Sequence, residues 1–321
     1  MSNLDQPLVS VIVPAYNHEN FVTQCLDSVF EQTYSRLELL IINDGSKDNT
    51  HSVIQRWIEN RHSRFERLNY INQENKGVTV TLNEALKWTK GKYFSAFASD
   101  DIILPNKISL LVQDLEEKGA EIAASFGNAK FIDFHDSPIS LDIVDDANKT
   151  LGSYDTFLEY YTFNRQFNFK DPEVFGTYAS LLSGNYLPAM SCVVRTEYLR
   201  DAGGWSEKNA VEDWEMWLKL SKKYKFSYID ESVALYRWHP NNTSKINRTR
   251  ILNDSIKLLE NEKRFALNNN LSHLFFPIYL YNIKLLKEIN NIHYGLKLGR
   301  LFLNSNFWGY AFAKFKRSIY G

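Results

Sequence analysis

Hydrophobic runs and amphipathic stretches alternate along the chain from its start to about position 130. Runs of β-branched and aromatic residues predict buried strands at 8–14, 37–42, 68–71 and 93–98. Apolar residues at helical spacing predict helices at about 21–32, 48–58, 78–89 and 105–118. This alternation predicts an α/β fold whose mostly parallel sheet is covered by helices on both faces. In such sheets ligands bind at the carboxyl ends of the strands.

The pattern changes after position 130. Short polar and aromatic segments with several aspartates fill 133–170, which we interpret as a solvated loop or an exposed helix face rather than a metal site. Helices are predicted at 174–182 and 212–224, and 226–236 is interpreted as a strand pair or one long bent strand. From Arg250 onward the pattern is helical, with breaks expected near Pro277 and Gly295.

The composition is typical of a globular protein. With 44% hydrophobic residues, 14 Gly and 8 Pro among 321 residues, disorder and collagen-like repeats are excluded as the main content. The formal charge of −1 hides two opposed parts. Residues 1–249 carry 26 basic and 34 acidic side chains, whereas 250–321 carry 11 basic and 4 acidic ones. This asymmetry suggests different partners for the two parts.

Several features bear on the compartment. Cys25 and Cys192 are too few for a disulfide framework and are predicted to be buried thiols. The first residues show no basic start followed by an apolar stretch, so we expect no signal peptide. The longest mostly apolar stretches, 268–283 and 301–313, are shorter than the ~20 residues that a spanning helix needs. We therefore expect the chain in the cytoplasm.

Two adjacent acids, Asp100 and Asp101, follow the fourth predicted strand. A buried strand gains nothing from ending in two unpaired acids unless a cation is present, and carboxylate oxygens suit Mg²⁺ or Mn²⁺. The alternative is that one of them caps the helix that follows. From the residues alone, both interpretations stay open.

Two other predicted strands also end in polar side chains. Tyr16 and Asn17 follow the first strand, and Asp44 follows the second, where an Asp-Gly pair is most often an ordinary turn. Grouped at one edge of the sheet with Asp100 and Asp101, they would suit a base, a ribose and a diphosphate-bound metal. The chain contains neither Gly-x-Gly-x-x-Gly nor Gly-x-x-x-x-Gly-Lys-Ser/Thr, so neither a dinucleotide fingerprint nor a P-loop is predicted.

Polar residues in the second half offer further chemistry. Glu212 and Asp213 open a predicted helix, where the helix dipole favours acids and where a carboxylate also suits a general base. Two glycines ahead of this helix allow close backbone approach to a ligand beneath Trp205. His239 is interpreted either as a hydrogen-bonded structural residue or, beside Arg237, as part of a metal and diphosphate site.

Seven short motifs, in order along the chain, resemble those of family 2 glycosyltransferases with the GT-A fold, of the type found in bacterial cell-surface polysaccharide synthesis. They are Val11-Ile12-Val13-Pro14-Ala15-Tyr16-Asn17, Asn43-Asp44-Gly45-Ser46, Asn75-Lys76-Gly77, Ser99-Asp100-Asp101, Gly203-Gly204-Trp205, Glu212-Asp213 and Tyr236-Arg237-Trp238-His239. The resemblance covers about residues 7–245, and the ordered set is more specific than any single motif. It implies a Rossmann-like nucleotide-binding half and an inverting, metal-dependent transfer of a sugar from a nucleotide diphosphate donor, usually a UDP-sugar.

The resemblance also implies roles for individual residues. Asp213 would be the base that deprotonates the acceptor hydroxyl, and Asp101 would be the direct ligand of Mn²⁺ or Mg²⁺, with Asp100 and His239 as further metal residues. The implied nucleotide-sugar-binding residues are Pro14, Ala15, Tyr16, Asn17, Asp44, Lys76, Asn83, Ser99, Asp100, Gly204, Trp205, Glu212 and Arg237.

Two positions depart from the family's pattern. Ala98 stands where the common Asp-x-Asp triplet has its first acid, which leaves Ser99-Asp100-Asp101 as a variant that keeps the metal-side acids. Leu82 stands where an Arg often precedes the Asn at position 83. One cationic contact to the donor is therefore either missing or supplied by Lys76 or Arg237.

The C-terminal part, 250–321, is predicted as a helical extension to a catalytic domain of 1–249. It contains 13 of the 46 aromatic residues. The end of the chain, from about position 297, favours contact with an anionic membrane, whereas 268–283 favours packing on the catalytic domain or at a homo-oligomer interface. A membrane-facing tail suits a glycan or polyprenyl-diphosphate-linked glycan acceptor, as in polysaccharide, O-antigen or capsule synthesis. We expect peripheral contact with the inner face of the cell membrane and no nucleic-acid partner.

Two other functions fit parts of the pattern. A nucleotidyltransferase also places paired acids and a metal on a nucleotide-binding sheet, but it would have a Gly-rich, basic loop where this chain has Tyr16-Asn17-His18-Glu19. A non-catalytic nucleotide-sugar-binding module would have lost the chemistry, and the presence of Asp101 and Asp213 argues against it.

Overall fold

An eight-stranded sheet forms the centre of the protein. The structure, a computed structural model, describes residues 6–288 apart from 60, 146 and 208, together with 297–299, 301 and 303–311. The described strands are β1 (Val9–Ala15), β2 (Leu37–Asp44), β3 (Arg67–Gln73), β4 (Tyr93–Ala96), β5 (Ile102–Ile103), β6 (Ile122–Ile132), β7 (Leu141–Val144), β8 (Thr150–Tyr154), β9 (Cys192–Arg195) and β10 (Lys225–Arg237). Strands β7 and β8 form a separate two-stranded sheet, and the other eight form the central one.

The sheet has the order β3-β2-β1-β4-β9-β6-β10-β5. Strands β3, β2, β1 and β4 are parallel, as are β6 and β10. Strand β9 runs antiparallel to both of its neighbours, and β5 runs antiparallel to β10. All of β2 is buried, as is usual for a parallel strand covered on both faces. The predicted α/β fold with a mostly parallel sheet is confirmed.

Helices pack on this sheet and continue beyond it. They are α1 (Val22–Phe30), α2 (Thr50–Ile58), α3 (Val78–Trp88), α4 (Lys107–Lys118), α5 (Phe157–Thr162), α6 (Tyr178–Leu182), α7 (Thr196–Asp201), α8 (Glu212–Ser221), α9 (Thr243–Ile246), α10 (Arg248–Asn268) and α11 (Ser272–Glu288). Residues 305–311 are also helical. In the part of the chain that the structure describes, no helix is both long and apolar enough to cross a membrane.

Two sequence predictions differ from the structure, and a third is not tested by it. The break at Pro277 is wrong, because α11 runs through it. Buried Phe275 and Phe276 just before it hold the helix against its neighbours, which offsets the lost backbone hydrogen bond. The segment 133–170 is not simply a loop or a helix face, because β7 and β8 form an antiparallel hairpin there and α5 follows. The break expected at Gly295 lies outside the described residues.

The segment 226–236 is one long bent strand, the second of the two predicted alternatives. Its pairing with β6 shifts register between Tyr228 and Ala234, which marks an irregularity of the bulge type. The sequence did not identify β6 as a strand. Its core is rich in small residues, among them Ala123, Ala124, Ser125 and Gly127, so it lacks the β-branched pattern that reveals a strand.

The C-terminal helices share a hydrophobic core with the sheet. One cluster joins Phe126 of β6 and Trp217 of α8 to Ile256 of α10 and Phe275 of α11. Each such buried side chain contributes about 1.5–3 kcal/mol of hydrophobic free energy. The division at residue 249 stays a prediction, and the described core extends across it. Cys25 and Cys192 are buried free thiols, as predicted.

A polar contact reinforces the attachment of α10. Glu262, on this helix, accepts a hydrogen bond from Tyr178 Oη (2.8 Å) and pairs with Lys222 Nζ (2.7 Å). Both partners belong to the region before residue 249. A buried carboxylate that is paired in this way specifies how the helix docks, because an unpaired one would be costly.

Candidate active site

The turns that follow β1 and β2 are joined by hydrogen bonds. Asn17 has a φ of 56°, in the left-handed region that Asn tolerates. Its Oδ1 accepts a hydrogen bond from the Lys47 backbone N–H (2.7 Å), and its own backbone N–H donates to Ser46 Oγ (2.9 Å). The side chain of Tyr16, which is 45% exposed, therefore extends from a turn whose backbone is held in place.

Asp44, the last residue of β2, anchors the loop ahead of α3. Its Oδ1 accepts hydrogen bonds from Gln73 Nε2 (2.9 Å) and the Lys76 backbone N–H (2.8 Å), and its Oδ2 accepts one from the Gly77 backbone N–H (2.8 Å). Hydrogen bonds to an ionised carboxylate are about twice as strong as neutral ones. Asp44 is buried. It therefore shapes the 75–77 loop at the edge of the sheet where the predicted donor residues lie.

Asp100 lies between two imidazoles. Its Oδ2 is 3.0 Å from His239 Nε2 and 3.6 Å from His18 Nε2. Ligand atoms of these three residues all lie within 4.8 Å of one another. Burial alone would raise the pKa of Asp100, but the hydrogen bond from His239 and the field of His18 outweigh it and hold the pKa below its usual value. We call Asp100, His18 and His239 the candidate metal-ligand cluster.

Asp101 has a different environment. Its Oδ1 accepts a hydrogen bond from the Arg237 backbone N–H (3.0 Å), and the residue is 2% exposed. Burial, and then the neighbouring charge of Asp100, raise the pKa of Asp101 well above its usual value. Neither acid caps α4, since that helix begins only at Lys107 and follows Asn106. The helix-cap alternative is therefore wrong.

Arg237 is fully buried and joins four parts of the chain. Its guanidinium donates to the carbonyl oxygens of Asp100 (2.8 Å) and Asp133 (3.1 Å) and to Gln24 Oε1 (3.1 Å). It also forms a 2.6 Å ion pair with Asp136. An Arg with its donors used in this way positions the Asp100 backbone.

Asn83 was predicted to bind the donor, and the structure places it against Trp205. Its Oδ1 accepts a hydrogen bond from the Trp205 backbone N–H (2.9 Å), and its Nδ2 donates to the Trp205 carbonyl oxygen (2.7 Å). Gly204 has a φ of 71°, and a Cβ there would collide with Asn83 Oδ1. The glycine is thus required for this contact.

The remaining predicted donor residues lie at the same strand ends. Pro14 and Ala15 are the last two residues of β1. Ser99 is fully buried, with Oγ 2.8 Å from His18 Nδ1. Lys76 Nζ forms a 2.9 Å ion pair with Glu84 on the surface, where its side chain is 45% exposed. A lysine held this loosely keeps the freedom to contact an anion.

Glu212 and Asp213 occupy the first turn of α8. Trp214 Nε1 donates to the Leu181 carbonyl oxygen (2.8 Å) and thereby fixes this end of the helix. Burial raises the pKa of Asp213 to about 6. Burial, followed by the charge of Asp213, raises the pKa of Glu212 to about 8. A carboxylate with a pKa near neutrality suits proton abstraction from a hydroxyl.

Three residues of this region were not identified from the sequence. His18 was noted only within the turn after β1, although an imidazole at a strand end is itself a ligand signal. Gln24 and Asp136 hold the guanidinium of Arg237, and Gln24 Nε2 also donates to Asp136 (2.6 Å). Nothing in the sequence separates such residues from ordinary surface polar groups.

The sequence model described as "Glycosyl transferase family 2" matches residues 10–182, which is more than half of the chain. The chain belongs to this family. An uncharacterised glycosyltransferase of Rickettsia felis is 29% identical over 247 residues, covering 76% of this chain and 36% of that protein. The chondroitin synthase of Pasteurella multocida is 27% identical over 321 residues, covering 88% of this chain and 27% of the synthase. The chain thus spans about a third of the length of these relatives.

Two solved structures share the fold of this protein. The mannosyltransferase PcManGT of Pyrobaculum calidifontis, in complex with GDP-Man and Mn²⁺, has a TM-score of 0.59 at 17% identity, covering 96% of this chain and 84% of that one. TarS of S. aureus in complex with UDP-GlcNAc has a TM-score of 0.57 at 16% identity, covering 86% of this chain and 72% of that one. At these identities the likeness shows the GT-A-type fold.

Proposed function

We propose that this protein is a metal-dependent, inverting glycosyltransferase that moves a sugar from a UDP-sugar to a hydroxyl of a glycan or lipid-linked glycan. The observation that carries the proposal is the position of Asp100. It is far from His239 in the sequence, yet their side chains lie 3.0 Å apart at the strand ends. A buried carboxylate between two imidazoles is typical of a divalent cation site.

The nucleotide is assigned to the ends of β1 and β2. The exposed ring of Tyr16 offers a flat surface for the base, at a turn held by Asn17. Pro14 and Ala15 lead into this turn, and Asp44 fixes the loop opposite. A uracil base is the first choice, because the family resemblance favours it and TarS was solved with UDP-GlcNAc.

The cation, Mn²⁺ or Mg²⁺, is assigned to Asp100 and His239. A carboxylate oxygen and an imidazole nitrogen 3.0 Å apart are donors that fit one divalent ion. When bound, such an ion neutralises charge on the leaving diphosphate. The resemblance implied that Asp101 is the direct ligand. Because Asp101 accepts from the backbone of Arg237 and lies outside the three-residue group, we assign it instead, with Arg237, to positioning the strand ends around Asp100.

Asp213 is assigned as the base that accepts the proton of the acceptor hydroxyl. Its pKa of about 6 keeps it ionised at neutral pH while leaving it basic enough to act. Glu212, whose pKa of about 8 keeps it protonated, can donate a hydrogen bond to a sugar oxygen beside it. A single displacement by the activated hydroxyl inverts the anomeric carbon.

The decisive experiment measures product by mass spectrometry with a panel of nucleotide sugars, Mn²⁺ and glycan acceptors. We expect UDP release and a glycosylated product, both lowered at least about 100-fold by Asp213→Asn and retained by Glu207→Gln, an exposed acid in the turn before α8. Release of pyrophosphate from a nucleoside triphosphate would favour a nucleotidyltransferase instead. Nucleotide-sugar binding without turnover across the panel would favour the non-catalytic module.

A further inference from the structure

We propose that His18 is a third protein ligand of the divalent cation and that this second imidazole makes the site select Mn²⁺ over Mg²⁺. The inference rests on the proposed function for the presence of the cation beside Asp100 and His239. His18 itself was assigned no role by the sequence. It lies in the turn after β1, whereas His239 lies two residues after the end of β10.

Both imidazole distances to Asp100 Oδ2 fit ligation of a single ion. His18 Nε2 lies 3.6 Å from Asp100 Oδ2, and His239 Nε2 lies 3.0 Å from the same atom. Two ligands that are each about 2.1 Å from one ion lie about 3–4 Å apart for angles of roughly 90–140°. Among the described residues, these three form the one group of at least three His, Cys, Asp or Glu side chains close enough to share an ion.

Ser99 holds the His18 ring in the orientation a ligand needs. Its fully buried Oγ lies 2.8 Å from His18 Nδ1. Metal-bound histidines commonly donate their second ring N–H to a hydrogen-bond acceptor. The Ser99 hydroxyl can accept from Nδ1–H, and in that tautomer the Nε2 lone pair is free for an ion beside Asp100.

The backbone and the ring faces of His18 are also fixed. Its backbone N–H donates to Thr50 Oγ1 (2.9 Å), and its carbonyl oxygen accepts from the backbone N–H groups of Phe21 and Val22 at the start of α1. The ring contacts Phe21 edge-on at 6.0 Å and His239 at 6.2 Å. The side chain is 20% exposed, so an ion and its waters can still reach it. This preorganisation favours ligation over a loose surface role.

Two imidazoles change which ion is preferred. Mg²⁺ favours oxygen ligands and near-ideal octahedral geometry, whereas imidazole nitrogen suits first-row transition metals. A site with one carboxylate and two imidazoles therefore discriminates against Mg²⁺ more strongly than one with a single imidazole. Removing His18 should weaken Mn²⁺ binding and reduce this discrimination.

The test measures metal binding directly on the full chain. Titration with Mn²⁺ alone, followed by the EPR signal of the free ion, gives the Kd, and competition with Mg²⁺ gives the selectivity. We expect His18→Ala and His18→Gln to raise the Mn²⁺ Kd at least about tenfold and the Mg²⁺ Kd less than about threefold. Pulsed EPR should detect two coordinated nitrogens in the unaltered protein and one in either variant.

His51→Ala is the matched control, since His51 is bonded through Nδ1 to Tyr70 Oη (2.7 Å) and lies outside the candidate metal-ligand cluster. Its Mn²⁺ Kd should stay within about twofold of the unaltered protein. A melting temperature for each variant separates loss of a ligand from loss of the fold.

Two results would overturn the inference: a single coordinated nitrogen in the unaltered protein, or an Mn²⁺ Kd unchanged by both substitutions at His18. If sugar transfer is nevertheless observed, the proposed function survives alone. Two coordinated nitrogens without any sugar transfer would leave the metal site intact and remove the proposed function.

Discussion

Asn83 holds the backbone of Trp205 at both of its peptide groups, with hydrogen bonds of 2.9 Å to the N–H and 2.7 Å to the carbonyl oxygen. The two residues are distant in sequence. Asn83 lies on α3, and Trp205 follows the glycine pair ahead of α8. The contact therefore sets the position of the indole relative to the sheet half that carries the predicted donor residues.

Asn83→Ala removes both hydrogen bonds and leaves two peptide groups of Trp205 without these partners. We expect a loss of about 1–3 kcal/mol in the free energy of unfolding. We also expect a lower kcat/KM for the sugar donor, because the indole is no longer fixed. Urea unfolding and initial rates measure the two effects. Glu84→Ala, which removes only the exposed pair with Lys76, should change stability by less than about 1 kcal/mol. Equal losses of stability and of kcat/KM in the two variants would contradict the proposed role of the Asn83–Trp205 hydrogen bonds.

The base assignment predicts how activity depends on pH. Because Asp213 must be ionised and its pKa is raised to about 6, kcat/KM should fall as the pH drops through 6 and stay level only up to about pH 8, where Glu212 loses its proton. Asp213→Asn should lower kcat by about 10²–10⁴-fold and abolish the fall of kcat/KM below pH 6. Glu215→Gln, on the same turn of α8, serves as a control, because Glu215 pairs with Lys219 (3.0 Å). A flat profile of the unaltered protein between pH 5 and 7 would exclude Asp213 as base.

The same acids should make the folded state less stable at high pH. Burial raises the pKa of Glu212 to about 8 and that of Asp213 to about 6, so the folded state holds protons that the unfolded chain has released. Stability is therefore lost as the pH rises from about 4 to 8. Glu212→Gln should raise the melting temperature by about 2–6 °C at pH 8 and have little effect at pH 4. Glu207→Gln, an exposed control, should show no such pH-dependent gain.

We expect substitution of Arg237 to lower the free energy of unfolding more than it affects binding of the sugar donor. Arg237→Lys loses the planar fork that reaches the oxygens of Asp100, Asp133 and Gln24, and should cost about 3 kcal/mol or more in urea unfolding. Arg36→Lys, in a partly exposed pair with Glu66, should leave the urea midpoint nearly unchanged. A raised donor KM with unchanged stability would instead support direct contact with the donor.

Two exposed apolar residues near the C-terminus offer a test of membrane contact. Leu303 is 88% exposed and Trp308 is 55% exposed, in a region of net positive charge. We expect the double variant Leu303→Ser with Trp308→Ser to reduce sedimentation with phosphatidylglycerol vesicles at least about fivefold. Ile246→Ser, which alters another exposed apolar residue, should leave it unchanged. Equal sedimentation of the double variant and the unaltered protein would end the membrane hypothesis for these residues.

The sequence predicts the parallel half of the sheet well, because β1 and β2 are continuous apolar runs that periodicity reveals. It does not predict β9, a short strand placed between β4 and β6 by contacts far along the chain. The site, too, was predicted only in part from the sequence. The acids at the strand ends are visible as motifs, but the separate environments of Asp100 and Asp101 depend on tertiary contacts with His239 and Arg237.

Asp100 and His18 both lie within residues 10–182, whereas His239 and Asp213 lie beyond them. During synthesis the ribosome therefore completes the matched family region before either of the later residues exists. At about 5–20 residues per second, the stretch from Asp100 to His239 takes about 7–28 s to translate. A nascent chain or a fragment that ends before Asp213 contains the strand ends that carry His18 and Asp100, but it lacks both His239 and the assigned base Asp213. The proposed sugar transfer therefore requires that the chain be synthesised beyond β10.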